Sequence, residues 1–138
     1  MKILKKKNSF IYKKPFFIAE LSSNHNGSIS QAKKLILLAK KNGADAVKLQ
    51  TYLPSTMTLN SKRKDFMMSS GIWKGKTLWQ LYEKAHTPYN WHKELFSFAR
   101  KNKITCFSSP FDESAVDFLE GHNVEAYKIA SFENTHLP

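Results

Sequence analysis

Short apolar runs alternate with longer amphipathic stripes along the first third of the chain. "PFFIAEL" (15–21) is an apolar run closed by the polar, glycine-containing "SSNHNG", a pattern typical of a strand followed by a turn. Segment 28–43 then predicts a helix, because its apolar residues recur at helical spacing: Ala32, Leu35, Ile36 and Ala39. Ser28 or Ser30 can cap the start of this helix, and Gly43 can close its end.

The same alternation continues to the end of the chain. "DAVKLQ" (45–50) predicts a second strand, whereas 51–76, with scattered serine and threonine, predicts a loop that crosses one end of the fold. The remaining predicted elements are a helix at 77–86, a helix at 87–103, a third strand at 104–109, a helix at 112–121 capped by Asp112 and stopped by Gly121, and a fourth strand at 125–131. Thr87 is predicted to cap the second of these helices, with Pro88 at its first helical position.

The order of predicted elements is β-α-β-α-β-α-β, which favours right-handed crossovers and a parallel sheet. Two architectures have this order. One is a doubly wound open sheet, and the other is the N-terminal half of a (β/α)₈ barrel, whose full form needs roughly 250 residues. A barrel would be incomplete in 138 residues.

Two lysines in the predicted strands favour the barrel. Neighbouring residues on a strand face opposite sides, so one face is apolar and the other is small and basic. The small and basic face carries Ala46, Lys48 and Gln50 on the second strand, and Ala126, Lys128 and Ala130 on the fourth. An open sheet covered by helices on both sides would prefer two apolar faces, whereas a barrel interior that binds a ligand accommodates lysines. Each buried ammonium group needs an anionic partner, either a side chain or a ligand.

The formal charge of +11 raises the possibility of a nucleic-acid or membrane partner. Arg63 and Arg100 are the only arginines among 22 basic residues, and phosphate recognition favours arginine, so nucleic-acid binding is disfavoured. In the lysine-rich opening, the basic segment 1–14, no apolar run reaches the length of a signal peptide before Lys13 and Lys14 interrupt it, and no segment of the chain approaches the roughly 20 apolar residues of a membrane span. The single cysteine, Cys106, fits a cytoplasmic protein.

Four segments resemble the N-terminal half of the sialic acid synthase family, whose members condense phosphoenolpyruvate with an amino sugar: "FFIAELSSNHNGS", "GADAVKLQTY", "CFSSPFDESAVDFLE" and "AYKIASFENTHLP". The middle block "GIWKGKTLWQLYEKAHTPYNWHKELF" resembles the pseudaminic acid synthase branch more closely than the N-acetylneuraminate branch. This region, with Trp73 and Trp79, is expected to shape the choice of sugar. The alternatives are a fragment of an N-acetylneuraminate or legionaminate synthase and a non-catalytic basic half-barrel that binds or pairs with another chain.

The resemblance implies an incomplete enzyme. Family members have a (β/α)₈ barrel followed by a small antifreeze-like domain, and they pair as homodimers. Residues 15–138 would supply about four parallel strands with their helices, without the second half-barrel or the small domain. The divalent metal of the family, manganese or magnesium, is held by histidines of that second half, so no complete metal site is expected here. The fragment alone is expected to be inactive.

The resemblance also assigns residues that bind phosphoenolpyruvate. Lys48 and Lys128 would contact its carboxylate and phosphate, and Ser109 and Ser131 would donate hydrogen bonds to its oxygens, just past the strand ends. Gln50, on the same face as Lys48, is also predicted to bind substrate. The competing interpretation is that the lysines form structural ion pairs and the serines lie in ordinary turns.

Two acidic residues are the predicted catalytic groups. By resemblance, Glu20 and Glu133 would accept hydrogen bonds from the sugar hydroxyls and assist proton transfer. Alternatively, they are counter-ions for Lys48 and Lys128. His25 in "SSNHNG" is predicted to be a loop residue rather than a metal ligand, because a metal site needs three or four converging ligands.

Overall fold

The computed structural model describes residues 15–135, so the predicted basic segment 1–14 and His136 lie outside the described residues. Its sheet has three parallel strands in the order β1-β2-β3. The strands are β1 (Ile18–Glu20), β2 (Ala46–Thr51) and β3 (Thr105–Pro110). Each of them matches a segment that the hydrophobic pattern predicts as a strand, although β2 and β3 each extend one residue past the predicted end, to Thr51 and Pro110.

The predicted helices are confirmed, and 51–76 is more ordered than the sequence suggests. The helices are α1 (Ile29–Lys41), α2 (Pro54–Met57), α3 (Leu78–Ala85), α4 (Tyr89–Lys101) and α5 (Glu113–Glu120), with 3₁₀ turns at Lys64–Phe66 and Glu133–Thr135. The loop prediction for 51–76 was wrong at α2, where Pro54 starts a helical turn and the Thr56 hydroxyl hydrogen-bonds Leu53. No helix among residues 15–135 is long and apolar enough to cross a membrane.

Most of the predicted helix ends are confirmed. The side chains of Ser28 and Asp112 each accept a backbone N–H from the first turn of α1 and α5, and Gly43, just after α1, has a left-handed φ of +88°. At α4 the prediction was wrong by one residue, because Pro88 itself is the N-cap. The Thr87 hydroxyl is buried and has no hydrogen-bond partner among the described residues, so it does not cap the helix.

The predicted fourth strand is not formed. Segment 125–131 makes a single parallel bridge, from Tyr127 to Ser108, and the Lys128 N–H donates to the Ser108 carbonyl oxygen at 3.1 Å. Parallel strands are normally covered on both faces. Here the predicted apolar face stays open, with Tyr127 38% and Ile129 67% exposed. The segment therefore lies beside β3 without extending the ladder.

Helices α1, α4 and α5 cover one face of the sheet, and the other face bears polar side chains. The core between sheet and helices includes Ile36, Val47, Leu49, Leu95, Phe96 and Leu119. On β2, Val47 and Leu49 point into this core while Lys48 and Gln50 alternate with them, as predicted. A parallel sheet with one helical face and one polar face is the arrangement of a barrel segment rather than of a doubly wound sheet.

Candidate active site

A pocket of about 430 Å³ lies over the polar face of the sheet, near the carboxyl ends of the strands. Its polar wall is formed by Glu20, Lys48, Gln50, Ser109, Lys128 and Ser131. Its apolar wall is formed by Tyr52, Met57, Trp73, Tyr82, Phe111 and Phe132. The structure thus brings together all of the predicted site residues except Glu133. The carboxyl ends of parallel strands are where barrel enzymes place their chemistry.

Strand register places Lys48 between two partners. Glu20 of β1 is paired with Lys48 of β2, and Gln50 of β2 is paired with Ser109 of β3, so these side chains share a face. The Lys48 ammonium forms an ion pair with the Glu20 carboxylate and donates to the Ser109 hydroxyl at 3.3 Å. The lysine side chain is only 12% exposed and the glutamate side chain 41%. Lys48 is therefore a nearly buried cation whose counter-ion stands at the pocket rim.

Lys128 reaches the same pocket from outside the sheet. Its backbone is held by the hydrogen bond to Ser108, and its exposed side chain lines the polar wall. Among residues 15–135 the ion pairs are Lys33–Glu94 and Lys48–Glu20, so Lys128 is not ion-paired within this part of the chain. Two ammonium groups and one carboxylate give the described lining a positive balance, which suits an anionic ligand.

Two predicted site residues are placed differently from expectation. Ser109 lies within β3, rather than past its end, and is fully buried. Glu133 lies in the 3₁₀ turn Glu133–Thr135, half-buried, and is not among the residues that line the pocket. The residue before it, Phe132, stacks on Phe111 with ring centroids 5.6 Å apart. Phe132, rather than Glu133, therefore forms the pocket wall in this part of the chain.

The apolar wall was largely missed from the sequence. Tyr52 is buried and makes edge-to-face contacts with Tyr82 at 5.6 Å and Phe111 at 5.5 Å. Burial, aided by neighbouring Tyr82, raises the pKa of Tyr52 to about 12, so its hydroxyl stays protonated. Tyr52 and Phe111 directly follow the last residues of β2 and β3. Because barrel enzymes place their site residues just after the strands, this position in the sequence could have identified both as candidate site residues. Trp73 also lines the pocket, whereas Trp79 does not.

The described residues do not fit a metal site. Within residues 15–135, no group of three or more histidine, cysteine, aspartate or glutamate side chains could hold a metal ion. His25 is buried, its Nδ1 accepts the Gly27 N–H at 3.1 Å, and its ring packs edge-on against Trp91 at 5.4 Å. Burial lowers the pKa of His25. That the family's metal is held by residues elsewhere stays a prediction.

Comparisons with known proteins place the chain in a family. The model of the NeuB family matches residues 35–138. The chain is 54% identical over 121 residues to the pseudaminic acid synthase of Campylobacter jejuni, covering 88% of this chain and 35% of that protein. It is 51% identical over 123 residues to the pseudaminic acid synthase of Helicobacter pylori, covering 89% of this chain and 36% of that protein.

A solved structure gives the same result at the level of the fold. The N-acetylneuraminic acid (sialic acid) synthetase of Leptospira borgpetersenii, in complex with citrate, superposes with a TM-score of 0.72 at 26% identity, over 88% of this chain and 38% of that chain. The predicted partial barrel is therefore confirmed. The chain spans about a third of the length of these proteins. With the family model matching residues 35–138, the chain belongs to the NeuB family.

Proposed function

We propose that this chain is the N-terminal portion of a nonulosonic acid synthase, which condenses phosphoenolpyruvate with an open-chain N-acetylated amino sugar to give pseudaminic acid and phosphate. The observation that carries the proposal is the convergence of Lys48 and Lys128 on one pocket, beside the Ser109 hydroxyl. The identity of 54% to a pseudaminic acid synthase supports this product over related nonulosonic acids.

The polar wall has the groups that phosphoenolpyruvate requires. Its carboxylate and phosphate need compact positive charge, which two lysine ammonium groups supply. Ser109 and Ser131 add hydroxyl donors at the same wall. An incoming phosphate competes with the Glu20 carboxylate for Lys48, and Glu20 is then free to accept a hydrogen bond from the sugar. Both roles considered for Glu20, counter-ion and sugar ligand, fit its place at the rim.

The proposed reaction forms one carbon–carbon bond, and at C2 it replaces the carbon–oxygen bond to phosphate by one to the oxygen of water. C3 of phosphoenolpyruvate attacks the aldehyde carbon of the sugar, and the aldehyde oxygen takes up a proton. Water adds at C2, and phosphate departs from C2 with its bridging oxygen to leave a ketone. The water gives up both of its protons: one balances the proton taken up by the aldehyde oxygen, and the other goes to the departing phosphate. The lysines hold the enol phosphate in place throughout, so positioning and charge stabilisation contribute to the rate.

The remaining expectations concern the whole protein. We place the synthase in the cytoplasm and expect it to act as a homodimer with manganese or magnesium bound by residues outside 15–135. The Cys106 thiol has no role in this scheme, since burial raises its pKa to about 12 and keeps it protonated.

Replacing Lys48 tests the proposal directly. In the full-length protein, Lys48→Ala should lower kcat/KM for phosphate release by at least about 100-fold, because it removes a charge that binds the reacting phosphate. Lys33→Ala is the matched control, since Lys33 is also ion-paired but lies on the outer helices, against Glu94. The control should retain activity within about twofold. Near-normal turnover in Lys48→Ala would remove the basis of the proposal.

A further inference from the structure

Three buried side chains form a hydrogen-bonded network behind the pocket. The Thr51 Oγ1 atom lies 2.8 Å from His92 Nε2 and 2.6 Å from Ser108 Oγ. All three residues have no exposed surface. They come from β2, α4 and β3 respectively, and they lie on the helix-covered face of the sheet, opposite the pocket. These residues are called the buried trio below.

The hydrogen bonds of the buried trio have a defined direction. His92 Nδ1 is 3.1 Å from the Pro88 carbonyl oxygen, which can only accept, so Nδ1 carries the proton. In a neutral imidazole Nε2 must then accept, and its donor is the Thr51 hydroxyl. The Thr51 oxygen in turn accepts from the Ser108 hydroxyl. Thr51 is thus the central member, and removing its hydroxyl leaves both His92 Nε2 and the Ser108 hydroxyl without this partner.

The surroundings of His92 keep its ring neutral. Tyr89, Phe96 and Phe118 pack around it with their rings 5.7, 5.8 and 5.2 Å away. Burial lowers the pKa of His92 to about 4, and the nearby charges of His122 and His86 add to this effect. At neutral pH the ring therefore acts as a fixed hydrogen-bond acceptor for β2.

The buried trio is directly connected to the residues that line the pocket. Thr51 follows Gln50 and precedes Tyr52, and both neighbours line the pocket. Ser108 precedes Ser109, which accepts from Lys48. The Ser108 carbonyl also accepts the Lys128 N–H, the bond that holds the Lys128 segment beside β3. The ends of two strands and the Lys128 segment are thereby tied to one helix.

We propose that Thr51, His92 and Ser108 are positioning residues: they do not touch the substrate, but they hold the ends of β2 and β3 so that the pocket groups converge on phosphoenolpyruvate. The proposal rests on the proposed function. A displacement of about 1 Å at a reacting centre costs up to about 100-fold in rate, so losing a buried tie between the two strands affects catalysis beyond its effect on stability.

The test is Thr51→Val in the full-length protein, measured by phosphate release well below the melting temperature. We expect kcat/KM to fall about 10- to 100-fold, because the Ser108 hydroxyl and His92 Nε2 both lose their partner. Thr51→Ser keeps the hydroxyl and should stay within about threefold. The matched control is Thr87→Val, which makes the same exchange at a buried hydroxyl with no partner among the described residues. It should leave kcat/KM within about twofold.

A spectroscopic measurement tests the direction of the hydrogen bonds in the buried trio. In ¹⁵N spectra of the imidazoles, His92 should show the neutral form protonated at Nδ1. Thr51→Val should shift the Nε2 signal toward that of a ring nitrogen without a hydrogen bond, and Thr87→Val should not. A signal from the form protonated at Nε2 would overturn the proposed direction of the network, and with it the positioning role.

The outcomes distinguish this proposal from the proposed function. If Lys48→Ala is inactive while Thr51→Val matches Thr87→Val in kcat/KM, the positioning role is wrong and the proposed function stands. If Lys48→Ala remains active, the proposed function itself fails. Should Thr51→Val not fold, Ser108→Ala, which removes only the terminal donor, is judged against Thr87→Val by the same criterion.

Discussion

At the scale of single residues, the chain has charged and polar side chains at positions where the hydrophobic pattern of the neighbouring residues alone would predict buried apolar ones. Lys48 interrupts an apolar strand, and the structure gives it a carboxylate and a hydroxyl as partners. This ion pair joins a nearly buried ammonium group to a half-exposed carboxylate at the pocket rim. Lys48 therefore remains available to a ligand with more negative charge, such as a phosphate. The alternation of side chains along β2 was enough to predict which face of the sheet carries Lys48. Its pairing with Glu20 needed the register between strands.

His92 could not have been singled out from the sequence. It lies in the amphipathic helix α4 among aromatic residues, and the sequence pattern there predicts only that a histidine packs in the core. Thr51 lies 41 positions from its partner His92 and 57 positions from its other partner, Ser108. Local patterns carry no information about contacts between residues so distant in the chain. The register of β2 and β3 brings Thr51 and Ser108 together, and the packing of α4 against the sheet adds His92.

The buried imidazole predicts a loss of stability in acid. The folded pKa of His92, about 4, lies below the value of 6.5 for a free histidine. Between these pH values the unfolded chain binds more protons, so the free energy of unfolding falls as the pH drops from about 6.5 to 4, by up to about 3 kcal/mol. Urea unfolding of wild type and His92→Gln across this range measures the difference. Equal pH dependence in the two proteins would contradict a buried neutral His92.

At the scale of elements, the predictions held where periodicity and packing agree. α1, α4 and α5 have both a clear stripe and buried partners, and they form as predicted. The segment 125–131 has strand-like alternation, but the apolar face it presents is not covered, so the ladder stops after one bridge. Sequence alternation specifies which faces a strand would have, while the formation of the strand depends on what covers them.

Segment 51–76 is more than a connection between two elements. It contains α2 and supplies Met57 and Trp73 to the apolar wall. A wall of aromatic rings beside a polar, cationic wall suits a sugar that carries acetamido methyl groups and few hydroxyls. This arrangement supports a role for the segment in choosing the sugar rather than in binding phosphoenolpyruvate.

Trp73 provides the test of that division. Trp73→Ala in the full-length protein should raise KM for the amino sugar about 10-fold, because it removes apolar contact area from the wall, while KM for phosphoenolpyruvate stays within about twofold. Trp79→Ala is the control, since Trp79 is also half-buried in this region but does not line the pocket. An equal rise in both KM values for Trp73→Ala would show that the wall does not separate the two substrates.

At the scale of the whole molecule, both sides of the sheet expose apolar surface. Phe16, Phe17 and Ile18 are exposed at the β1 side, and Ile129 and Phe132 at the opposite side. Open strand edges with exposed apolar residues are sites for further pairing. Relatives in the NeuB family are about three times as long as the matched segment, and we expect the rest of such a chain to cover these surfaces.

The charge of +11 allows a different interpretation, in which the chain is a basic module for polyanions. Such a module needs a basic surface but no enclosed site. The pocket instead combines a cationic wall with an aromatic wall in about 430 Å³, dimensions suited to small molecules. The distribution of groups therefore favours a synthase over a polyanion-binding module, and it fits the family to which the chain belongs.

The central claim is that Lys48 and Lys128 hold phosphoenolpyruvate in this pocket, and a crystal structure of the full-length protein with phosphoenolpyruvate tests it most directly. We expect the carboxylate and phosphate to contact the two ammonium groups, with Ser109 donating to an oxygen and Glu20 separated from Lys48. Phosphoenolpyruvate bound elsewhere, with Lys48 still paired to Glu20, would contradict the claim.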